Sequence, residues 1–233
     1  MNSAKSISRV GSLGAALLLG TATASAAVVF DNTLNVQPGF GAQTTQQYGD
    51  EISLAGTDRY VTELKFQYRG DFVPTVSGPT AVVRIYANDG ASALPGLVAP
   101  RPGTLLWESG PLNLAPGDNI VSVAPNILVP NVVTWAVEFS GLSGEAGDRA
   151  GLLVSSPPTV GGLLANGEIG SYSGDYWVKV DPADDESWAL KSIVGQPSNF
   201  YANVTAVPEP STVALAVLGL GGIWLIQRRR TVC

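Results

Sequence analysis

Strict alternation of apolar and polar side chains is the feature that most limits what this chain can become. Across residues 62–69, Leu64, Phe66 and Tyr68 fall on one side and Glu63, Lys65, Gln67 and Arg69 on the other, the period of two that a half-buried strand requires. Val133, Trp135, Val137 and Phe139 repeat the pattern against Thr134, Ala136, Glu138 and Ser140. So do Val83 and Ile85 around Arg84, and Tyr176, Val178 and Val180 around Trp177 and Lys179. Shorter apolar runs predict further strands at 28–30, 49–53, 104–108, 119–123, 150–155, 188–190 and 200–206, about ten or eleven in all. Between them stand turn formers such as Asn88-Asp89-Gly90, Pro95-Gly96, Pro102-Gly103, Pro116-Gly117-Asp118 and Ser156-Pro157-Pro158. The interior of the chain has no sustained 3.6-residue apolar spacing. The expectation is an all-β fold, an antiparallel β-sandwich of jelly-roll type.

The two ends break this pattern. Lys5 and Arg9 precede an apolar run over residues 10–19, and Ala24-Ser25-Ala26 supplies an A-x-A cleavage site, the three parts of a secretory signal peptide. Cleavage after Ala26 leaves Ala27 as the first mature residue, with Ala24 as an alternative endpoint. At the other end Val207-Pro208-Glu209-Pro210 leads into an uncharged stretch, 213–226, followed by Arg228, Arg229 and Arg230. As a helix that stretch would be ~21 Å long at ~1.5 Å per residue, short for a hydrocarbon core of ~30 Å. Arginines at its end can snorkel, and a mismatch of this kind costs only fractions of a kcal/mol per Å. Basic residues beside a span stay cytoplasmic, which puts the body on the opposite side of the membrane. The chain thus divides into a signal peptide (1–26), a sandwich body (27–206) and a tail (207–233) with a transmembrane helix at 213–226. A signal helix and a transmembrane helix flank the sandwich, and residues 205–207 read as a very short stalk.

The order of box, apolar helix and basic tail resembles the PEP-CTERM sorting signal of Gram-negative bacteria. Residues 82–90, 102–110, 133–142 and 150–154 also resemble the bodies of uncharacterised proteins that carry this signal. The resemblance implies export through the secretion translocon, removal of the leader by signal peptidase, and transient anchoring in the inner membrane with the body outside the cytoplasm. It further implies processing by an exosortase-type enzyme at the box Val207, Pro208, Glu209 and Pro210. The end point is the cell surface or the extracellular matrix.

Composition narrows what the body can do. Setting aside Lys5, Arg9 and the three tail arginines from 13 basic residues, and Glu209 from 19 acidic ones, leaves the body at about −10, which argues against nucleic acid as a partner. The chain has no histidine, its single methionine is Met1, and its single cysteine is Cys233. Disulfides, Cys/His zinc sites, cysteine nucleophiles and Ser-His-Asp triads are therefore excluded from the body. Carboxylate pairs, Ser-Lys arrangements and oxygen-ligand calcium sites survive this filter.

Three constellations follow. Asp181, Asp184, Asp185 and Glu186 cluster within six residues and are candidate Ca²⁺ ligands, although they lack the D-x-D-x-D-G spacing and a loop glycine. A solvated acidic loop is the plainer reading. Among the aromatics Trp107, Trp135, Tyr172, Tyr176, Trp177 and Trp188, Trp135 sits on a core face. Trp177 and Trp188 are the candidates for exposed rings that contact glycan, the extracellular polysaccharide being the partner. Finally, Glu108, Glu138 and Glu168 could supply a glycosidase pair, for which nothing in the sequence marks a cleft. The leading expectation is a non-catalytic surface or matrix protein without a cofactor, ahead of a carbohydrate-binding module and, last, a carboxylate glycosidase.

Overall fold

The computed structural model describes residues 25–34, 36–43, 46–75, 78–91, 100–155, 157–162, 175–181, 183–192 and 199–209. These contain strands and no helix, arranged as two antiparallel sheets. Numbered in chain order, the first sheet holds β1 (Ala27–Asp31), β2 (Val36–Gln43), β4 (Tyr60–Phe72), β8 (Gly117–Val123), β9 (Ile127–Leu128), β11 (Asp148–Ser155), β14 (Asn199–Phe200) and β15 (Ala202–Val207). The second holds β3 (Gln47–Ser53), β5 (Thr80–Ala87), β6 (Leu105–Glu108), β7 (Leu112–Asn113), β10 (Val132–Ser140), β12 (Asp175–Lys179) and β13 (Trp188–Ser192), with the order β13-β12-β3-β10-β5-β6. The expected all-β sandwich is present. Both signal-bearing ends, with their expected helices, lie outside the described residues apart from Ser25, Ala26 and the segment up to Glu209.

Alternation explains the packing. Leu64, Phe66 and Tyr68 of β4 meet Val133, Trp135, Val137 and Phe139 of β10 between the sheets, joined by Val83, Ile85, Leu152, Val154 and Phe200. The Trp135 ring lies 5.9 Å from Phe66 and 6.5 Å from Phe200, at the centre of the core. Burying each such side chain contributes roughly 1.5–3 kcal/mol. Several strands depart from the expected pattern: β7 and β9 lie outside the expected runs, and the run 200–206 is divided between β14 and β15. β2 lies outside the expected strands, and Pro38-Gly39 within it are turn formers, yet it pairs with β11 from Val36 to Gln43. β12 ends at Lys179, and Val180 is exposed instead of facing the core.

The edges of β4 position the end of the chain. Leu64 pairs with Val123 of β8 on one edge and Val204 of β15 on the other. Further along that second edge, from Tyr68 to Phe72, β11 takes the place of β15. The final segment starts on β11 as β14, breaks at Tyr201 and continues on β4 as β15. Buried Asn32 repairs the break: its Nδ2 donates to the Phe200 carbonyl at 2.8 Å, and its Oδ1 accepts from the Ala202 amide at 2.7 Å. Buried backbone groups left bare would be costly, so the asparagine amide stands in for the missing ladder. β15 then carries β1 on its free side, with Ala27 opposite Ala206 and Asp31 opposite Asn203.

Candidate functional site

Two places in the fold concentrate chemistry: the outer face of the second sheet and the exit of β15. On the outer face, cross-strand register gathers residues far apart in sequence. Glu138 and Lys179 both pair with Gln47, Trp177 and Ala136 both pair with Gly49, Arg84 pairs with Glu108, and Tyr86 with Leu105. All point away from the main core, because their neighbours Val137, Val178, Tyr48, Val83 and Ile85 point into it. Gly49 is required by its surroundings. A Cβ there would lie 2.5 Å from the Trp135 carbonyl oxygen and 2.8 Å from the Ala136 methyl.

The small residues Gly49 and Ala136 leave a shallow floor, and Trp177 packs there with Ala136, Tyr86 and Trp188 in a second apolar cluster. Trp177 is 1% exposed and Trp188 5%. The Trp177 indole donates to Glu51 Oε2 at 3.4 Å, and Trp188 meets Tyr86 edge to face with ring centroids 5.2 Å apart. Trp177 does leave the main core, as its alternation requires. The expectation of exposed rings fails for both tryptophans, because this outer face is itself a packed layer.

Beside that layer lies an open polar cleft of about 400 Å³, lined by Gln47, Arg84, Tyr86, Gly103, Leu105, Glu108, Glu138, Lys179 and Asp185. Arg84 sits between two carboxylates, donating from Nε to Glu108 at 2.5 Å and from Nη1 to Glu138 at 2.6 Å. Burial alone would lower the pKa of the guanidinium, but the bonds to Glu138 and Glu108 outweigh it and hold it above its ordinary value. Lys179, with only 5% of its side chain exposed, donates to Asp185 at 2.7 Å. That bond holds the Asp185 carboxyl below its ordinary range. Tyr86 donates to Gln47 Oε1 at 2.7 Å, and burial pushes its pKa up to about 12.

The acidic loop forms a turn stabilised by its own groups. Asp181 Oδ1 accepts from the Ala183 amide and Asp184 Oδ1 from the Glu186 amide, while Ser187 bonds the backbone of Asp181 in both directions. Asp185 turns to Lys179, and Glu186 to Arg101 at 2.9 Å. The four carboxylates thus diverge, and among the described residues no group of three or more acidic, histidine or cysteine side chains is placed to hold a metal. Glu168 lies outside the described residues. Of the residues lining the cleft, Glu108, Glu138 and Asp185 are the ones that stand out as candidates along the sequence. Arg84 was visible there only as an outward charge between two core residues.

At the exit of β15, Val207 pairs with Tyr60 and Ala206 with both Val61 and Ala27. Residues 205–207 are therefore strand, which corrects the expected stalk. Pro208 and Glu209 follow immediately as irregular, partly exposed chain, and Pro208 has no backbone donor with which to extend the ladder. Ala26 and Ala27 precede or open β1 next to this exit. Ala24, Pro210, the stretch 213–226, and Arg228, Arg229 and Arg230 lie outside the described residues.

Fold and terminal segment together define a class: a sandwich whose last strand runs without a spacer into a C-terminal sorting segment. Residues 206–230 match the PEP-CTERM protein-sorting motif. No curated protein and no solved structure matches the chain. Over residues 206–230 the chain thus carries a PEP-CTERM protein-sorting motif. The motif marks it as exported, as transiting a membrane, and as recognised by an exosortase-type sorting enzyme.

Proposed function

We propose that this is a non-catalytic cell-surface or extracellular-matrix protein whose sandwich folds before its sorting signal is processed. The observation that carries this reading is the register of the two ends: Ala27, the expected first mature residue, pairs with Ala206, the last residue but one before Pro208. Leader and anchor leave from one end of one strand pair. In the precursor both tethers hold that end of the sandwich against the inner membrane, with the body outside the cytoplasm. Signal peptidase frees β1, and the sorting enzyme acts at Val207, Pro208, Glu209 and Pro210 beside it.

The non-catalytic part of the reading is supported by the way Glu108 and Glu138 are used. Both bind the same guanidinium, an ion triad, where a glycosidase places an acid and a base on opposite sides of a substrate bond. The jelly-roll assignment is supported by the winding, since β3, β4 and β5 pair in turn with β12, β11 and β10. Mass spectrometry of the protein from its own exporting cell tests the sorting reading. The expected species begins at Ala27 and lacks everything after the box. Replacing Pro208, Glu209 and Pro210 by alanine is expected to trap a membrane precursor that retains Cys233, and unchanged maturation of that variant sinks the role given to the box.

A further inference from the structure

We infer that the polar cleft on the outer face of the second sheet binds a neutral, hydroxyl-rich ligand, a short uncharged saccharide. This goes beyond the sorting reading and does not depend on it, since a chain that is never processed keeps the cleft.

The inference rests on what the cleft can and cannot satisfy. Its charged lining is Arg84 and Lys179 against Glu108, Glu138 and Asp185, three anions to two cations. That excess disfavours phosphate, sulfate and uronate ligands. A simple cation is disfavoured too, because each carboxylate already accepts from a guanidinium or ammonium. Each ion pair still leaves hydrogen-bonding capacity. Glu108 Oε1, Glu138 Oε1 and Asp185 Oδ2 have no partner among the described residues, and Arg84 keeps donors on Nη2. Charged donors and acceptors thus alternate across one concavity. A sugar hydroxyl matches this arrangement, because it donates and accepts at once and its bonds to charged groups are the stronger kind.

Geometry agrees with the chemistry. The volume of about 400 Å³ falls at the small end of the ~300–1,000 Å³ typical of ligand pockets, room for a short saccharide. Leu105, 48% exposed, stands at the rim and offers apolar surface to the C–H face of a sugar ring. The cleft is also preorganised. Trp188 packs against Tyr86, whose hydroxyl is fixed by Gln47, and Arg84 is clamped from two strands, so little ordering remains to be done on binding. The tryptophans therefore act beneath the site as supports.

The test is binding of the full chain in detergent to immobilised neutral oligosaccharides (glucan, mannan and galactan series) beside uronate-containing ones. Saturable binding to a neutral series is expected, weakened about tenfold by Glu138→Gln and by Arg84→Met, as loss of a hydrogen bond to a charged group implies. Leu105→Ala, at an exposed position whose loss leaves the core intact, is expected to weaken binding with an unchanged melting temperature, which separates a site effect from misfolding. Lys65→Ala on the opposite sheet is expected to change nothing. Absence of binding to every neutral series, preference for uronates, or binding that none of the three cleft variants alters would overturn the inference.

Discussion

If the body folds before sorting, the lack of a spacer makes processing slow, and a spacer relieves it. An extended substrate must present residues on both sides of the cut, yet Ala206 and Val207 are still paired within β15. Exposing them breaks three pairings: Val207 with Tyr60, Ala206 with Val61 and Ala206 with Ala27. At one net hydrogen bond of ~1 kcal/mol per pairing, that is about 3 kcal/mol. Re-exposing the Ala206 methyl and part of the Val207 side chain adds roughly 2 kcal/mol. The two freed residues regain about 3 kcal/mol of backbone entropy, leaving a net cost of about 2 kcal/mol, or about thirtyfold in the population of the frayed form. Inserting six Gly/Ser residues between Val207 and Pro208 gives a mean reach of ~13 Å with β15 intact. Pulse-chase labelling in the exporting cell, following precursor to mature protein, is expected to show processing at least about tenfold faster for the insertion. The same insertion in the exposed turn at Gly56 and Thr57 serves as control and leaves the rate unchanged. Equal half-times for the Val207 insertion and the native chain would refute the reasoning, because the enzyme would then take the box without disturbing the strand.

Other perturbations address the body. Gly49→Ala is expected to destabilise by about 1–3 kcal/mol, since its Cβ meets the Trp135 backbone and the Ala136 methyl, and a thermal melt should fall by roughly 2–4 °C per kcal/mol. Asp185 has a folded pKa below its ordinary value of 3.8, so the stability from its bond to Lys179 is present above that value and is lost as pH falls through the folded pKa. Asp185→Asn should therefore melt lower at neutral pH, by about 1 kcal/mol given the exposure of the carboxylate, and match the native protein in strong acid; a constant difference at all pH values would contradict this. Tyr68→Phe removes the hydroxyl that accepts from the Ala115 amide at 2.7 Å and donates to its carbonyl, at a cost of about 1 kcal/mol in denaturant titration. Millimolar Ca²⁺ is expected to leave the melting temperature unchanged, because Asp181 and Asp184 serve their own turn; a rise of several degrees would restore the calcium reading.

What the sequence disclosed and what it hid follow from how each feature is written along the chain. Strands β4, β5 and β10 were legible because one face of each is core and most of their polar side chains fall on the other. β3 carried a weaker signal, since Gln47, Asp50 and Glu51 are buried along with Tyr48 and Ile52 and polar residues at buried positions erase the contrast. Trp177 was placed on the correct face, but its burial depends on Gly49 and Ala136, which come beside it only through register. The cleft is the same case: Arg84 lies 24 residues from Glu108 and 54 from Glu138, and Tyr86 lies 39 from Gln47. A sorting signal is read by its enzyme as linear chain, so its parts must follow one another in sequence order, and box, apolar stretch and arginines do so within residues 206–230. A site on a sheet face is assembled across strands, and period-two alternation says only which side of the strand each member occupies. Export is therefore legible at the end of the chain, whereas any ligand of the body is encoded in strand pairings that no linear motif records.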